Sequence, residues 1–206
     1  MTEMNEQLLL NRCPHCSIAN PLLRSVWSTK DGEGSPRSDG QDWKAWRAYA
    51  CSSCGGIVTA VGYGSYQGRD VDRTYPSPRT AHEDIPEVAR NFLQQAFNVL
   101  HAPDAAAMVA GSAVDAMLKE KGYTKDSLYT RIDQALKDGV LTQGMADWAH
   151  SVRLGSNRPR HADAEKPHVS HEEAKISVEF AEALGHFLFV LTARVERGIA
   201  DAQGAK

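Results

Sequence analysis

The chain has 206 residues, enough for one or two small domains, with 42% hydrophobic residues to build a core and 24% charged residues, as in ordinary globular proteins. Its net charge of -3 excludes a polyanion-binding surface spread over the whole molecule and confines any nucleic-acid site to a local patch. No consecutive apolar run approaches bilayer-spanning length, and the opening MTEMNEQLLLNR has neither a basic start nor a cleavable apolar stretch, so a cytoplasmic protein without membrane contact is expected.

In chain order, the first signal is the cysteines. All four fall in two pairs, Cys13-Pro-His-Cys16 and Cys51-Ser-Ser-Cys54. A reducing cytosol disfavours disulfides, so the pairs need another explanation. Two intervening residues let two sulfurs converge from one tight turn, and two such turns complete a tetrahedron. Thiolates in that geometry suit Zn2+ in a structural role, with iron in the same cage or free buried thiols as the other readings. The expected ligands are Cys13, Cys16, Cys51 and Cys54. His15 is expected to face solvent, because four cysteines already fill the site. Gly55 and Gly56 follow the second pair, where such a turn often needs positive φ.

Strands are predicted over residues 22–29, 43–50 and 57–63, with DGEGSPRSDGQ (31–41) as an extended hairpin tip. Trp27, Trp43, Trp46, Tyr49, Tyr63 and Tyr66 concentrate here. They are either stacking platforms for bases or bulk that covers a metal site with little other core, and the small size of a ribbon favours the second. Residues 1–66 are thus expected to form a small β zinc ribbon. The polar stretch after it, with Pro76 and Pro78, predicts a linker at 67–83, in which Arg69, Arg73 and Arg79 are solvated charges.

From Asp84 to about residue 200 the pattern is helical, which makes the chain mainly α. Asp84 is placed as a cap, with Pro86 in the first turn and Glu87 completing a capping-box-like start, before a face of Ile85, Val88, Phe92, Ala96, Val99 and Leu100. Pro103-Asp104 opens a second helix with Ala106, Val109, Ala110, Ala113, Val114, Met117 and Leu118 inward and Gly122 as its stop. Its small residues, Gly111 among them, permit close approach of a neighbouring helix. A third helix runs through Leu128, Ile132, Ala135 and Leu136 to near Gly139. Thr142 caps a fourth, with Met145, Trp148, Ala149 and Val152 inward. Ser170-His-Glu-Glu173 is a capping box for the longest helix, whose stripe is Ile176, Phe180, Leu184, Phe187, Leu188, Leu191 and Val195. That stripe can serve as core and as a dimer face.

The segment richest in chemistry lies between the fourth and fifth helices, Arg153-Leu-Gly-Ser-Asn157-Arg158-Pro-Arg160-His161, placed at a helix end and loop and followed by Lys166, His168 and His171. Guanidinium groups bind phosphate through two parallel hydrogen bonds, and a histidine moves protons near neutrality. Together they can hold a phosphodiester and relay a proton at a ribose hydroxyl without a metal. The bland alternative leaves Arg153 and Asn157 bonded to loop carbonyls and His161 in a turn. No His-Glu-x-x-His spacing, Gly-rich phosphate loop or acidic pair points to another hydrolase class.

The pieces DAMLKEKGY, SLYTRIDQALKDGVLT, WAHSVRLGSNRPRH and SHEEAKISVEF carry a resemblance. From Ile85 to about Arg197 the chain resembles the bacterial domain-of-unknown-function family numbered forty-one forty-five, a branch of the HEPN superfamily. The resemblance implies a helical bundle, usually dimeric, in which Arg and His of two protomers face a shared cleft. Several HEPN relatives are metal-independent ribonucleases of toxin, defence or RNA-processing systems. Carried over, Arg153 and His161 become the catalytic pair, Asn157 the polar residue between them, and Arg158, Arg160 and Lys166 the nucleic-acid contacts. Seven residues separate Arg153 from His161, where the wider superfamily places four to six. Close relatives often carry an arginine pair where this chain has Gly111-Ser112-Ala113. The function implied is RNA binding or cleavage by a homodimer, with phage defence or stress response as settings. The alternative is a non-enzymatic dimeric adaptor whose ribbon and bundle bind a protein or nucleic acid.

Overall fold

The computed structural model describes residues 3–29, 38–63, 70–162 and 164–204. The greater part of the predicted hairpin tip, Tyr66, Arg69 and the last residues of the tail lie outside them. The chain divides into two compact units, Met1–Arg79 and Thr80–Lys206. About half of the chain is helical, and a five-stranded antiparallel sheet fills the first unit.

The sheet runs β1 (Gln7–Leu8), β2 (Leu23–Ser28), β3 (Lys44–Cys51), β4 (Ile57–Tyr63) and β5 (Arg73–Tyr75), each paired with its sequence neighbour. Three strands fall where alternation predicts them. β5 forms from residues predicted as linker, and β1 from the opening segment. On β3 every second residue is buried, Ala45, Arg47, Tyr49 and Cys51, as a half-covered strand requires. Met4, Leu8, Leu23, Val58 and Ala60 complete this core. Tyr49 is its largest side chain. Its hydroxyl donates to the Asn5 carbonyl at 3.0 Å, and burial pushes its pKa up to about 12. Arg47, on the same face, donates to Glu6 at 2.6 Å. Among the described residues, Tyr49 alone of the predicted covering aromatics is buried; Trp46 is partly covered, and Trp27, Trp43 and Tyr63 are exposed. The aliphatic residues of β1, β2 and β4 supply the bulk expected of the rings.

The second unit holds α1 (Glu87–Asn98), α2 (Pro103–Glu120), α3 (Leu128–Lys137), α4 (Gln143–His161), α5 (His171–Gly185) and α6 (Leu191–Gly204), the last two joined by a π turn at His186–Val190. α2 is central and packs on α1, α4 and α5. Ala106, Ala107, Ala110, Ala113, Val114, Met117 and Leu118 are all buried, and Gly122 comes next in a left-handed conformation.

Four expectations change on folding. Asp84 does not cap α1. Its carboxylate accepts two bonds from Arg197, at 2.9 and 2.8 Å, and Pro86 takes the cap position without a side-chain bond. The inward face of α1 is Ala89, Leu93, Ala96 and Phe97, so Val88 is exposed and Phe92 only partly covered. On α4, Ala146, Ala149, Val152 and Ser156 point inward, while Met145 is partly covered and Trp148 lies at the margin against Phe180. α4 also does not stop near Arg153. It continues through Pro159 to His161, and Ala162 closes it in the left-handed region.

The rod from His171 to Gly204 spans 34 residues and is long and apolar enough, by length and composition, to cross a bilayer. Its charges interrupt every long apolar run, so a search for consecutive apolar residues passes over it. Nearly half of its most apolar window is buried in the unit. The π turn adds one residue to the helical count and sets back the phase of α6 by about 100°. Before it, Ala174, Val178, Phe180, Ala181 and Leu184 are core. After it, α6 buries nothing, and Leu191, Val195 and Ile199 stand exposed in a row four residues apart, with Phe187 beside them.

α2 and α4 pack closely. A β-carbon on Gly111 would lie 2.6 Å from Ser156 Oγ and 2.8 Å from its Cβ, closer than atoms pack. Gly111→Val should therefore destabilise the helical unit by about 1–3 kcal/mol, the usual cost of overpacking. Urea denaturation followed by helical circular dichroism measures this, and an unchanged midpoint would rule out so close a contact.

Candidate metal centre and helical cleft

The four cysteines come together in the first unit. Their sulfurs lie within 4.8 Å of one another, and Cys13 Sγ is 3.9 Å from Cys54 Sγ. The edge of a tetrahedron with metal–sulfur bonds of about 2.3 Å is about 3.8 Å, so the cluster is the right size to hold a metal ion. Both turns are built alike. Ser17 N–H donates to the Cys13 carbonyl at 2.9 Å and Cys13 N–H to Ile18 at 3.0 Å. In the second, Gly55 N–H donates to Cys51 at 2.8 Å and Cys51 N–H to Gly56 at 3.0 Å. The residue after each pair is left-handed, Ser17 with φ 59° and Gly55 with φ 72°. Gly55 fits the expectation and Gly56 does not share it. Ser17 was missed because nothing but the match between the turns announces it.

Burial pushes up the thiols of Cys13, Cys16 and Cys54. At Cys51 burial is outweighed by the backbone N–H groups of Ser53 and Cys54 and by neighbouring sulfurs, and the thiol comes down to about 7. His15 Nε2 donates to the Ile57 carbonyl at 2.8 Å. The histidine is exposed, as expected, yet ties the first turn to the strand that leaves the second.

The second unit carries an open cleft of about 570 Å³ between α1, α2, α3 and α4. Arg153, Asn157 and Arg160 line it from α4. Positions 153, 157 and 160 recur at helical spacing, so extending α4 puts all three on one face. Arg131 and Tyr129 face them from α3, and Val88 and Phe92 form an apolar wall from α1. Four cations (Lys119, Arg131, Arg153, Arg160) stand against two carboxylates (Asp115, Glu120) in the lining, a surplus of two positive charges.

Within the cleft, Arg131 donates to Asp115 and to the Asp126 carbonyl, and Lys119 also pairs with Asp115 at 2.6 Å. Arg153 is held differently. Its guanidinium carbon lies 5.2 Å from the centre of the Tyr129 ring, and its Nε is buried without a hydrogen-bond partner among the described residues. Tyr129 in turn stacks on His150 at 4.8 Å, and His150 Nε2 lies 3.0 Å from Asp133. The Asp133–His150–Tyr129 stack was not predicted. Its one sequence signal is the spacing of His150 and Arg153, three apart on a helix.

The other predicted residues lie elsewhere. His161 is the exposed last residue of α4 and does not line the cleft. Arg158 and Lys166 both bind Glu173, at 2.9 and 2.7 Å. Glu173 also accepts from Ser170 N–H at 2.8 Å, closing the predicted capping box. Lys166 first, then the Ser170 N–H and Arg158, hold the Glu173 carboxyl well below the usual range. His168 and Val169 N–H both bind Asp104, each at 2.7 Å, which joins the start of α5 to the start of α2. His171 opens α5 and is exposed.

These contacts have two measurable outcomes. Elemental analysis of the purified chain should return one equivalent of metal, and Cys51→Ser should lose it together with the structure of the first unit. For Glu173, the folded-state pKa lies below the unfolded value of 4.5. Its contribution is present above pH 4.5 and is lost as pH falls toward the folded value. Glu173→Gln should therefore melt below wild type at pH 7, with the gap narrowing as the pH is lowered from 4.5. A gap independent of pH would separate Glu173 from the ion pairs.

No curated protein and no solved structure matches the chain. The family described as Domain of unknown function (DUF4145) matches residues 91–201, a span that takes in α2 to α5 and every α4 residue of the cleft. That match covers more than half of the sequence, and the chain belongs to this family.

Proposed function

We propose that the chain is a HEPN-like RNA-binding protein whose helical cleft takes the phosphodiester backbone, and whose first unit is a ribbon built on structural Zn2+. The observation that carries it is the convergence of Arg153, Asn157 and Arg160 on one cleft with surplus positive charge. Arg153 is pre-set by the Tyr129 ring, so little side-chain freedom is lost when it takes a phosphate oxygen. Asn157 offers a donor and an acceptor for a ribose hydroxyl. Zinc suits four convergent thiolates better than the harder divalent ions do.

Cleavage without a metal would use the ribose 2′-oxygen. It forms a bond to the adjacent phosphorus as a general base takes its proton, and the bond to the 5′-oxygen breaks as that oxygen is protonated. The arginines stabilise the charge on the phosphoryl oxygens. His161 supplies the imidazole, a side chain able to act as general base and general acid. It sits eight residues from Arg153, about 12 Å along the helix and about 80° around it. One chain therefore does not bring the pair onto one phosphate, and a second copy that presents His161 to the cleft completes the site. The row Phe187, Leu191, Val195 and Ile199 is the surface proposed to seat that copy.

The same exposed row favours the second reading, a dimeric adaptor without catalysis. RNA incubated with EDTA separates the two. Wild type should cleave, His161→Ala should cleave about 100- to 10,000-fold more slowly, and Arg153→Ala should bind RNA more weakly with a salt dependence reduced by about one ion. Equal cleavage by His161→Ala sinks the catalytic role. RNA affinity unchanged in Arg153→Ala sinks the cleft as the binding site. Binding without cleavage leaves the adaptor.

A further inference from the structure

The sheet of the first unit has two faces of opposite character. One is the core around Tyr49. Residues directly opposite in antiparallel strands share a face, so the register assigns the rest. Trp27 lies opposite Ala48, Trp46 opposite Val61, Tyr63 opposite Lys44 and Tyr75 opposite Thr59, all on the face away from the core. Each of β2, β3, β4 and β5 thus contributes one aromatic ring to it. Trp27, Tyr63 and Tyr75 are 57%, 51% and 46% exposed, so much of each ring is open to solvent, while Val61 on the same face is buried. Trp46 lies 6.1 Å from Tyr75, the rings tilted by 31°.

Trp27 reaches this face through an irregularity. Ser25 stands on the core side opposite Tyr49, and strict alternation would return Trp27 to the core side. A bulge between Ser25 and Trp27 adds one residue and turns the indole outward. The charges obey the same division. Arg24, Lys44 and Arg73 occupy strand positions on the ring-bearing face, and no carboxylate does so among the described residues. Asp42 and Asp72 touch Lys44 and Arg73 from beyond the strand ends, at 3.0 and 3.2 Å. Lys44 Nζ also lies 5.5 Å from the centre of the Tyr63 ring.

We propose that this face binds single-stranded nucleic acid, with unpaired bases on the rings and the phosphates along Arg24, Lys44 and Arg73. Aromatic rings stack on the faces of unpaired bases whatever the sequence, and cations at their margins meet the backbone. Three strand spacings carry Trp27 to Tyr75 across about 14 Å, room for two or three bases. A paired duplex hides the base faces and does not fit. The proposal concerns the first unit and does not rest on the reading of the helical cleft.

The test is fluorescence anisotropy of the full chain with a labelled oligothymidylate of roughly twelve nucleotides, a length within the site sizes of such platforms. Lacking the 2′-hydroxyl, this probe is immune to ribose-dependent cleavage. Trp27→Ala combined with Tyr75→Ala should weaken binding at least about tenfold. Trp27→Phe with Tyr75→Phe keeps the rings and should keep the affinity. Metal content should match wild type in both, which separates lost stacking from lost folding. In the Arg153→Ala background the two ring-to-alanine substitutions should still weaken binding at least about tenfold, and a duplex of the same length should bind more weakly. Unchanged affinity in the double alanine variant overturns the proposal. Equal affinity of Arg153→Ala with and without the ring substitutions also overturns it and places the strand in the cleft. No binding by wild type at low salt overturns it too and leaves the face to a protein partner.

Discussion

The helical unit depends on how closely α4 approaches α2. Gly111 has no β-carbon, so the small side chain of Ser156 sits directly against its backbone, and α4 lies where a larger residue at 111 would hold it off. Everything in the cleft inherits that position. Arg153, Asn157 and Arg160 are presented by a helix whose adjoining face is fixed against the core by Ala146, Ala149, Val152 and Ser156. The space beside Gly111 is filled by packing, and the cleft takes its positive charge from Lys119 on α2, Arg131 on α3 and Arg153 and Arg160 on α4.

The first unit solves a different problem. Its core is small, and its strands are too few to hold a sheet by burial alone. Two matched turns with left-handed Ser17 and Gly55 bring four sulfurs to one point, and His15 ties one of them across to Ile57. With one end of the sheet clamped in this way, the opposite face is released from covering a core. That freedom is what lets rings stand in solvent at Trp27, Tyr63 and Tyr75.

Much of this was legible in the sequence, and the parts that were not have physical causes. Cysteine spacing announced the cluster, and alternation placed β2, β3 and β4. Thr142 and Ser170 marked helix starts that their hydroxyls do cap. β1 and β5 are too short to show a period. α1 carries two adjacent apolar stripes, one through Val88 and Phe92 and one through Ala89 and Leu93, and only contact with α2 decides between them. Gly155, Asn157 and Pro159 all read as helix breakers, yet tertiary packing at Ser156 carries α4 past them. That extension is why Arg160 joined the cleft and His161 did not. Arg158 and Lys166 looked like free cations until Glu173 met both.

The shared carboxylate of Glu173 has an electrostatic consequence beyond stability. The start of α5 attracts negative charge, and Glu173 supplies it there while drawing in two cations from the basic run. The run at the end of α4 therefore does not act as one broad positive cloud. Arg158 is neutralised at the α5 side, whereas Arg153 and Arg160 line the cleft. With two cations of that stretch held by one carboxylate, the positive surplus of the second unit's cleft, Arg153 and Arg160 included, is a smaller and more local patch in a protein whose net charge is negative.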